Sequence, residues 1–223
     1  MTDGGPCLLM IAGPNGAGKT TAAKALFPGY IPLHKFLNPD AIARQLQKDK
    51  IKNISAGRIT LRLLRRFIDE GESFAFETTA APRTLSTLLA AAKKKGYRLV
   101  MIYVWVPNPD FCADRVKCRV KQGGHDVPRE VIERRFFAGL GNSVNLYLPL
   151  MDEAVFIDNA SSGMPSGRII AKKIGGKLQV SAPGAWRAIE QTAKEVACGI
   201  KGQGNRNFAQ NRRRRESDRS PGY

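Results

Sequence analysis

Short apolar runs alternate along the chain with stretches in which apolar residues recur every three or four positions. The run CLLMIAG at 7–13 precedes helical spacing over 19–27, and YRLVMIYVWV at 97–106 is long and apolar enough to form a central strand. This alternation is typical of an α/β fold, in which helices cover a mainly parallel sheet. It predicts five strands, at residues 7–13, 34–40, 73–79, 97–106 and 153–158.

Helical periodicity fills most of the intervals between these runs. The segment 167–180 differs, because two short runs flank Gly175-Gly176 and together predict a hairpin. We therefore expect residues 1–200 to form one three-layer α/β domain, with a mainly parallel five-stranded sheet and a small C-terminal hairpin plus helix. The predicted helices cover residues 19–27, 41–50, 56–71, 82–95, 110–122, 129–140 and 185–200.

The chain is strongly basic, with 36 Lys and Arg against 19 Asp and Glu and a formal net charge of +17. Residues 201–223 include seven basic and two acidic residues and almost no apolar ones, so we expect a disordered tail there. The rest of the chain still carries +12 and should attract nucleotides, sugar phosphates and nucleic acid. The run RRRR at 212–215 is a candidate contact for nucleic acid, although a solvated tail is the simpler interpretation.

The apolar runs and the cysteines bear on the cellular location. Every apolar run is shorter than the roughly 20 residues that span a bilayer, and the N-terminal segment lacks the features of a signal peptide. The four cysteines, Cys7, Cys112, Cys118 and Cys198, show no C-x-x-C spacing. We expect a cytoplasmic protein with reduced thiols and no membrane contact.

The segment GPNGAGKT at 13–20 fits the phosphate-loop pattern G-x-x-x-x-G-K-[ST]. It follows an apolar strand and opens a helix, so backbone N–H groups and the positive end of the helix dipole both point at a bound phosphate. The lysine supplies a positive charge, and the following hydroxyl is placed to bind Mg²⁺. The predicted ATP-binding residues are Gly13, Pro14, Asn15, Gly16, Ala17, Gly18, Lys19, Thr20 and Thr21.

Two carboxylates follow predicted strands and are expected at the carboxyl edge of the sheet, where ligands bind in such folds. Asp40 is a candidate base for an acceptor hydroxyl, and it also suits the first turn of a helix capped by Asn38. Glu77, followed by two threonines, could bind sugar or nucleoside hydroxyls or hold a water on Mg²⁺. An ordinary ion pair at the sheet edge is the alternative for Glu77.

Basic residues concentrate in the segment 107–135. Arg115 and Arg119 are four positions apart on a predicted helix and therefore share a face, and Arg134 and Arg135 lie on the next predicted helix. The glycine-containing linker between the two helices suggests a lid that closes over phosphates and excludes water. Each arginine taken alone is more simply a solvated residue than a catalytic one.

The chain resembles the zeta toxin family of P-loop kinases over roughly residues 8–159. The resemblance rests on AGPNGAGKTT, FLNPDAIA, FAFETT, the segment from GYRLVMIYVW to GGHDVP, and the following VIERRF. It implies a phosphotransferase that moves the γ-phosphoryl group of ATP, with Mg²⁺, to a hydroxyl of a UDP-N-acetylsugar. Membership would also imply an antitoxin partner that blocks the nucleotide site, although nothing in the residues shows toxicity.

The resemblance also implies roles for single residues. Lys19 would bind the ATP phosphates, Thr20 would bind the metal and Asp40 would act as the base. The acceptor sugar would contact Glu77 and Thr79. Arg115 or Arg119 would contact the transferring phosphoryl group. The family's second lid arginine aligns near His125, so His125, Arg134 or Arg135 would take its place as a contact to phosphate or substrate.

Two other functions remain open at this stage. The basic body fits a kinase for a nucleoside, a nucleotide or the 5′ end of a polynucleotide. A nucleotide-dependent nucleic-acid-binding protein is a third reading, and the sequence has no NKxD-like motif and no second ATPase signature to support it.

Overall fold

The computed structural model describes residues 5–26, 35–48, 55–160 and 167–200, so the basic segment 201–223 lies outside the described residues. Seven strands occur within these ranges. They are β1 (Cys7–Ala12), β2 (Phe36–Leu37), β3 (Phe74–Thr78), β4 (Arg98–Trp105), β5 (Glu153–Asp158), β6 (Arg168–Ile174) and β7 (Lys177–Val180).

Seven α-helices connect or follow these strands. They are α1 (Lys19–Leu26), α2 (Pro39–Lys48), α3 (Ala56–Asp69), α4 (Leu85–Lys94), α5 (Pro109–Lys121), α6 (Arg129–Asn142) and α7 (Pro183–Ala197). A π-helical turn at Ser143–Tyr147 continues α6. The order of elements agrees with the expected alternation, and most ends fall within three residues of the predicted ones.

The strands form one sheet in the order β2-β3-β1-β4-β5-β6-β7. The first five are parallel, which confirms the predicted α/β architecture with a mainly parallel sheet. Strand β1 lies between β3 and β4 and is buried along most of its length. Parallel strands covered by helices on both faces need continuous apolar sequence, which explains why the runs at 7–13 and 97–106 lack polar alternation.

The predicted hairpin at 167–180 extends this sheet. Strand β6 pairs antiparallel with β5, and β7 pairs antiparallel with β6. The five expected strands are therefore the parallel part of a seven-stranded sheet. Helix α7 packs back against the sheet, where the Trp186 ring lies edge-on to the Phe156 ring of β5 with centroids 5.1 Å apart.

Helix α6 anchors the loop that follows β3. A Cβ at Gly139 would lie 2.1 Å from the Thr79 carbonyl oxygen, so only glycine permits this approach. One turn later, Asn142 Nδ2 donates to the carbonyl oxygens of Ala80 and Ala81 at 3.1 and 2.8 Å. The carboxyl end of β3 is thereby held in position by a helix that begins more than fifty residues later.

None of the helices in the described ranges combines the length and apolar character required to cross a lipid bilayer.

Candidate active site

The phosphate loop joins β1 to α1 and has the backbone geometry that its glycines predict. Gly16 and Gly18 have φ angles of +79° and +88°, a region that favours glycine. A Cβ at Gly16 would also lie 2.6 Å from the carbonyl oxygen of Cys112, so α5 packs directly under the loop. The Lys19 ammonium group donates to the Pro14 carbonyl oxygen at 3.0 Å and thus lies across the loop.

The end of β3 meets the loop through a hydrogen bond. The Thr20 hydroxyl donates to Glu77 Oε2 at 3.2 Å, and Glu77 is only 6% exposed. Burial raises the pKa of Glu77, while the nearby Lys19 ammonium and the Thr20 hydrogen bond oppose that rise. Burial likewise lowers the pKa of Lys19, against the charges of Glu77 and Asp40. The fold therefore keeps the Lys19 ammonium and the Glu77 carboxylate close together although burial disfavours the charged form of each. Such perturbed groups are typical of functional sites.

The side chains of Thr20 and Glu77 are suited to binding Mg²⁺. The ion prefers oxygen ligands and usually takes only one or two from the protein, with phosphate oxygens and water in the other positions. The Thr20 hydroxyl and the Glu77 carboxylate supply such oxygens beside the phosphate loop. Glu77 Oε1 is buried and has no hydrogen-bond partner among the described residues, which leaves one lone-pair-bearing oxygen for a metal-bound water or a ligand hydroxyl.

Asp40 lies in the first turn of α2, which follows the carboxyl end of β2. The Asn38 side chain accepts hydrogen bonds from the backbone N–H groups of Asp40 and Ala41 at 2.9 and 3.2 Å, so Asn38 is the expected N-cap. The Asp40 carboxylate is therefore not needed to cap the N-terminus of α2. Its Oδ2 lies 3.9 Å from a guanidinium nitrogen of Arg119, and its side chain remains 58% exposed.

Arg119 links Asp40 to the linker between α5 and α6. Its Nη2 donates to the carbonyl oxygen of His125 at 2.8 Å. The preceding Gly124 is required there, because a Cβ at that position would lie 2.5 Å from Arg119 Cγ. Gly124 therefore makes room for the side chain of Arg119, whose guanidinium group lies near Asp40.

A cleft of about 730 Å³ opens beside the phosphate loop. Helices α2 and α3 form one wall, and the α5–α6 linker with the start of α6 forms the other. Apolar side chains such as Leu61, Phe76 and Val131 line much of it. Of the predicted site residues, the cleft is lined by Asn15, Lys19, Asp40, Glu77, Thr79, His125 and Arg135.

The basic residues of the predicted lid separate into different places. Arg115 stacks over the Phe111 ring at 4.3 Å and lies near Gly18, on the phosphate-loop side of α5. Arg134 is exposed and does not line the cleft, whereas its neighbour Arg135 is partly buried there. Arg135 donates to Asn15 Oδ1 at 3.2 Å, and burial followed by the charge of Arg134 lowers its pKa.

Two contributors to the site escaped sequence reasoning. Asn159, just after β5, donates from Nδ2 to the Ala17 carbonyl oxygen at 2.7 Å and so holds the phosphate loop from the far side. Helix α3 supplies a wall of the cleft through residues that include Arg58 and Thr60. The position of Asn159 at a strand end was the available signal for the first, whereas no local pattern marks α3 as a cleft wall.

A family comparison agrees with this geometry. Residues 8–136, more than half of the chain, match the model of a P-loop family described as an AAA domain. The chain belongs to this AAA domain family. The match ends within α6, so the AAA domain model covers the phosphate loop, Asp40, Glu77 and Arg119 but not Asn159.

Other proteins are similar to this chain in sequence or in fold. A Haemophilus influenzae protein of uncharacterised function is 25% identical over 130 residues, which are 57% of this chain and 91% of that protein. A chain of the AvrRxo1-ORF1:ORF2 complex crystallised with ATP superposes with a TM-score of 0.66 at 18% identity. A chain of the PezAT chromosomal toxin–antitoxin system of Streptococcus pneumoniae gives 0.52 at 14% identity.

Coverage differs between the two solved structures. The match takes in 84% of this chain and 64% of the AvrRxo1 chain, and 88% of both chains for PezAT. At these identities the likeness is one of fold. It establishes a P-loop kinase-like α/β fold for this AAA domain.

Proposed function

We propose that this AAA domain protein is an ATP-dependent kinase that transfers the γ-phosphoryl group of ATP to a hydroxyl of a small molecule. The observation that carries the proposal is the arrangement of Asp40, Lys19 and Glu77 around one cleft beside the phosphate loop. An enzyme that only hydrolyses ATP needs room for a water molecule beside the nucleotide. A cleft of about 730 Å³ has the size of a binding site for a small organic molecule.

The phosphate loop supplies the nucleotide site in this proposal. Lys19 leaves the Pro14 carbonyl oxygen to bind the β- and γ-phosphates, and the backbone N–H groups of 15–20 surround the phosphates. Mg²⁺, held by Thr20 with a water bonded to Glu77, would supply charge compensation for the phosphate oxygens. The ATP-bound AvrRxo1 structure of the same fold supports the choice of nucleotide.

Asp40 accepts the proton of the acceptor hydroxyl. In the balanced step, the acceptor oxygen bonds to the γ-phosphorus, the bond from that phosphorus to the bridging oxygen breaks, and ADP leaves. The exposed carboxylate of Asp40 suits this role because Asn38 caps α2 in its place. Arg119 lies 3.9 Å from that carboxylate and, with Arg115, offers positive charge to the transferring group.

The acceptor is proposed to be a UDP-N-acetylsugar, as the resemblance to zeta toxins implies. Glu77 and Thr79 would bind sugar hydroxyls, and His125 and Arg135 would contact the ligand from the other wall. Arg134 belongs to this set only through its predicted role, since it does not line the cleft. The likeness to a chain of the PezAT toxin–antitoxin system supports an antitoxin as protein partner.

The test is to incubate the protein with ATP, Mg²⁺ and a panel of nucleotide sugars, free sugars, nucleosides and 5′-hydroxyl oligonucleotides, and to identify phosphorylated products by mass spectrometry. We expect a phosphorylated UDP-N-acetylsugar with the wild-type protein. Lys19→Ala and Asp40→Asn should both lower the rate by at least about a hundredfold, since removal of a base alone costs about 10²–10⁴.

Asp114→Asn is the matched control for the Asp40 variant. Asp114 is an exposed aspartate on α5 that pairs with Lys117 at 3.6 Å, away from the cleft. Full activity of Asp40→Asn would refute the base assignment. Phosphorylation of oligonucleotides alone would replace the nucleotide sugar by a polynucleotide as acceptor, and ATP hydrolysis without any phosphorylated acceptor would refute kinase activity.

A further inference from the structure

The β3–α4 loop, residues 79–84, forms part of the wall of the candidate active site. Thr79 and Pro82 of this loop line the cleft together with Glu77 of β3. Ala80 between them is fully buried and has a φ of +57°, the one positive φ of a residue other than glycine in the described part of the chain. A residue with a Cβ keeps this conformation only where the surrounding structure enforces it.

Hydrogen bonds from the end of α6 and from the turn after it hold the loop in this conformation. Asn142 Nδ2 donates to the carbonyl oxygens of Ala80 and Ala81 at 3.1 and 2.8 Å, and Asn142 is only 8% exposed. The Tyr147 hydroxyl donates to the carbonyl oxygen of Pro82. Two side chains behind the cleft wall therefore bind three consecutive carbonyl groups of the loop.

The π-helical turn after α6 explains how both side chains reach the same loop. In a regular α-helix, residues five positions apart lie about 140° apart around the axis and so face different sides. In a π-helical turn the hydrogen bond joins residues five positions apart, as the Leu148 N–H does to the Ser143 carbonyl oxygen at 2.8 Å. Residues at this spacing, such as Asn142 and Tyr147, are thereby brought toward one side.

We propose that Asn142 and Tyr147 are positioning residues for the acceptor, because they fix the β3–α4 loop and so hold Thr79 where it contacts the acceptor. This inference rests on the proposed function, in which Thr79 binds an acceptor hydroxyl. A hydrogen bond weakens steeply when its geometry is distorted, and a loop that is ordered before binding avoids the cost of ordering it. Loss of either side chain should therefore weaken acceptor binding.

The nucleotide site has its own contact with α6. Arg135, which donates to Asn15 of the phosphate loop, lies seven positions before Asn142, or about 10 Å along the helix axis. Phe136 and Leu140 lie between them and are nearly fully buried, which anchors α6 in the core. We therefore expect a change at Asn142 to affect the KM for the acceptor and not the KM for ATP.

The experiment compares steady-state kinetics of full-length variants with ATP, Mg²⁺ and UDP-N-acetylglucosamine as the acceptor. Asn142→Ala should raise the KM for the acceptor about tenfold, the loss of about one hydrogen bond, while the KM for ATP stays within about twofold. Tyr147→Phe keeps the buried ring and removes only the hydroxyl, so we expect a smaller rise of about threefold. This second variant keeps the test decisive if Asn142→Ala does not fold.

Each variant has a matched control that removes the same chemical group elsewhere. Asn145→Ala removes an amide of the same π-helical turn that donates to the Ala193 carbonyl oxygen on α7 at 3.0 Å. Tyr97→Phe removes a hydroxyl that donates to the carbonyl oxygens of Phe67 and Glu72. Thermal melts should show a loss of stability in the controls as well, since each loses a side-chain contact to the backbone. Their KM for the acceptor should stay within about twofold of the wild type.

Hydrogen exchange follows the loop itself. The amides of residues 79–84 should exchange faster in Asn142→Ala than in the wild type and at an unchanged rate in Asn145→Ala. An unchanged acceptor KM in both Asn142→Ala and Tyr147→Phe, or an equal rise in their controls, would overturn the positioning role.

Failure of the kinase proposal looks different, because the wild type itself then phosphorylates no acceptor and the positioning role falls with it. If the wild type phosphorylates another compound of the panel, the same variants and controls are measured with that compound, and the same changes in KM are expected.

Discussion

Arg135 on α6 donates a hydrogen bond to Asn15 in the phosphate loop, with 3.2 Å between the guanidinium nitrogen and the amide oxygen. The second helix of the expected lid is therefore joined directly to the nucleotide site. The same helix packs into the core through Ile132, Phe136 and Leu140, which are all nearly fully buried. Motion that closes the site is consequently expected in the linker 122–128 and not in α6 as a whole.

Replacing Arg135 by alanine should lower kcat/KM for ATP by at least about tenfold, since a partly buried, charge-assisted contact to the loop is lost. Arg134→Ala serves as the control, because Arg134 is the adjacent arginine and is exposed. Steady-state kinetics on both variants provide the measurement. A larger defect in Arg134→Ala than in Arg135→Ala would restore the role that the sequence assigned to Arg134.

Gly18→Ala should abolish nucleotide binding and destabilise the fold. The φ of +88° costs a non-glycine residue about 1–2 kcal/mol, and the added Cβ would lie 2.5 Å from Asn159 Nδ2. Gly184→Ala is the control, because a Cβ at that position meets nothing within 4 Å. Titration with a fluorescent ATP analogue measures nucleotide binding, and thermal melts measure stability. Equal affinities and equal melting temperatures for the two variants would show that the prediction is wrong.

Asn159→Ala removes the amide that holds the phosphate loop from the end of β5. The Ala17 carbonyl oxygen then lacks its donor, and we expect a loss of about 1–3 kcal/mol in the free energy of unfolding. The affinity for ATP should fall as well, because the loop is less well ordered before binding. Denaturant titration and calorimetry measure the two effects, and a stability change without any change in ATP affinity would limit Asn159 to a structural role.

The pKa of Glu77 predicts a pH-dependent stability difference. Burial raises the pKa of this group above its ordinary value of 4.5, so folding favours the protonated form. Its stabilising contribution is present below the unfolded-state pKa and is lost as the pH rises through the folded-state pKa.

Glu77→Gln stays uncharged and should therefore melt above the wild type at neutral pH. For scale, each 1 kcal/mol gained in the free energy of unfolding would raise the melting temperature of a chain of this length by about 2–4 °C. The difference should disappear below pH 4.5, where the wild-type carboxyl is also protonated. Calorimetric melts across this range are the measurement, and a lower melting temperature for Glu77→Gln at neutral pH would show that the contact with Lys19 outweighs burial.

Local patterns account for the features that the sequence predicts correctly. The phosphate loop is a run of eight residues, and its strand and helix follow from neighbouring periodicity. The capping of α2 by Asn38 likewise depends on adjacent residues. The prediction that Asp40 and Glu77 share one edge of the sheet follows from the common direction of parallel strands, and both residues line the same cleft.

Long-range contacts account for the features that remained out of reach. Asn159 and Ala17 are 142 positions apart, and no periodicity connects them. Arg134 and Arg135 are indistinguishable by composition, and only the rotation of α6 decides which one enters the cleft. The hairpin at 167–180 was recognisable, but its pairing with β5 follows from the sheet edge that β5 leaves open.

The length of α6 affects how this chain can be divided. The family match ends at residue 136, in the middle of a helix that continues to Asn142. The contacts of Gly139 and Asn142 to the loop after β3, and of Asn159 to the phosphate loop, all lie beyond that point. A recombinant that exchanged everything after residue 136 would keep Lys19, Asp40 and Glu77 but lose the contacts that hold the phosphate loop and the end of β3 in position. The smallest segment that could be transferred with an intact site therefore extends to at least residue 159.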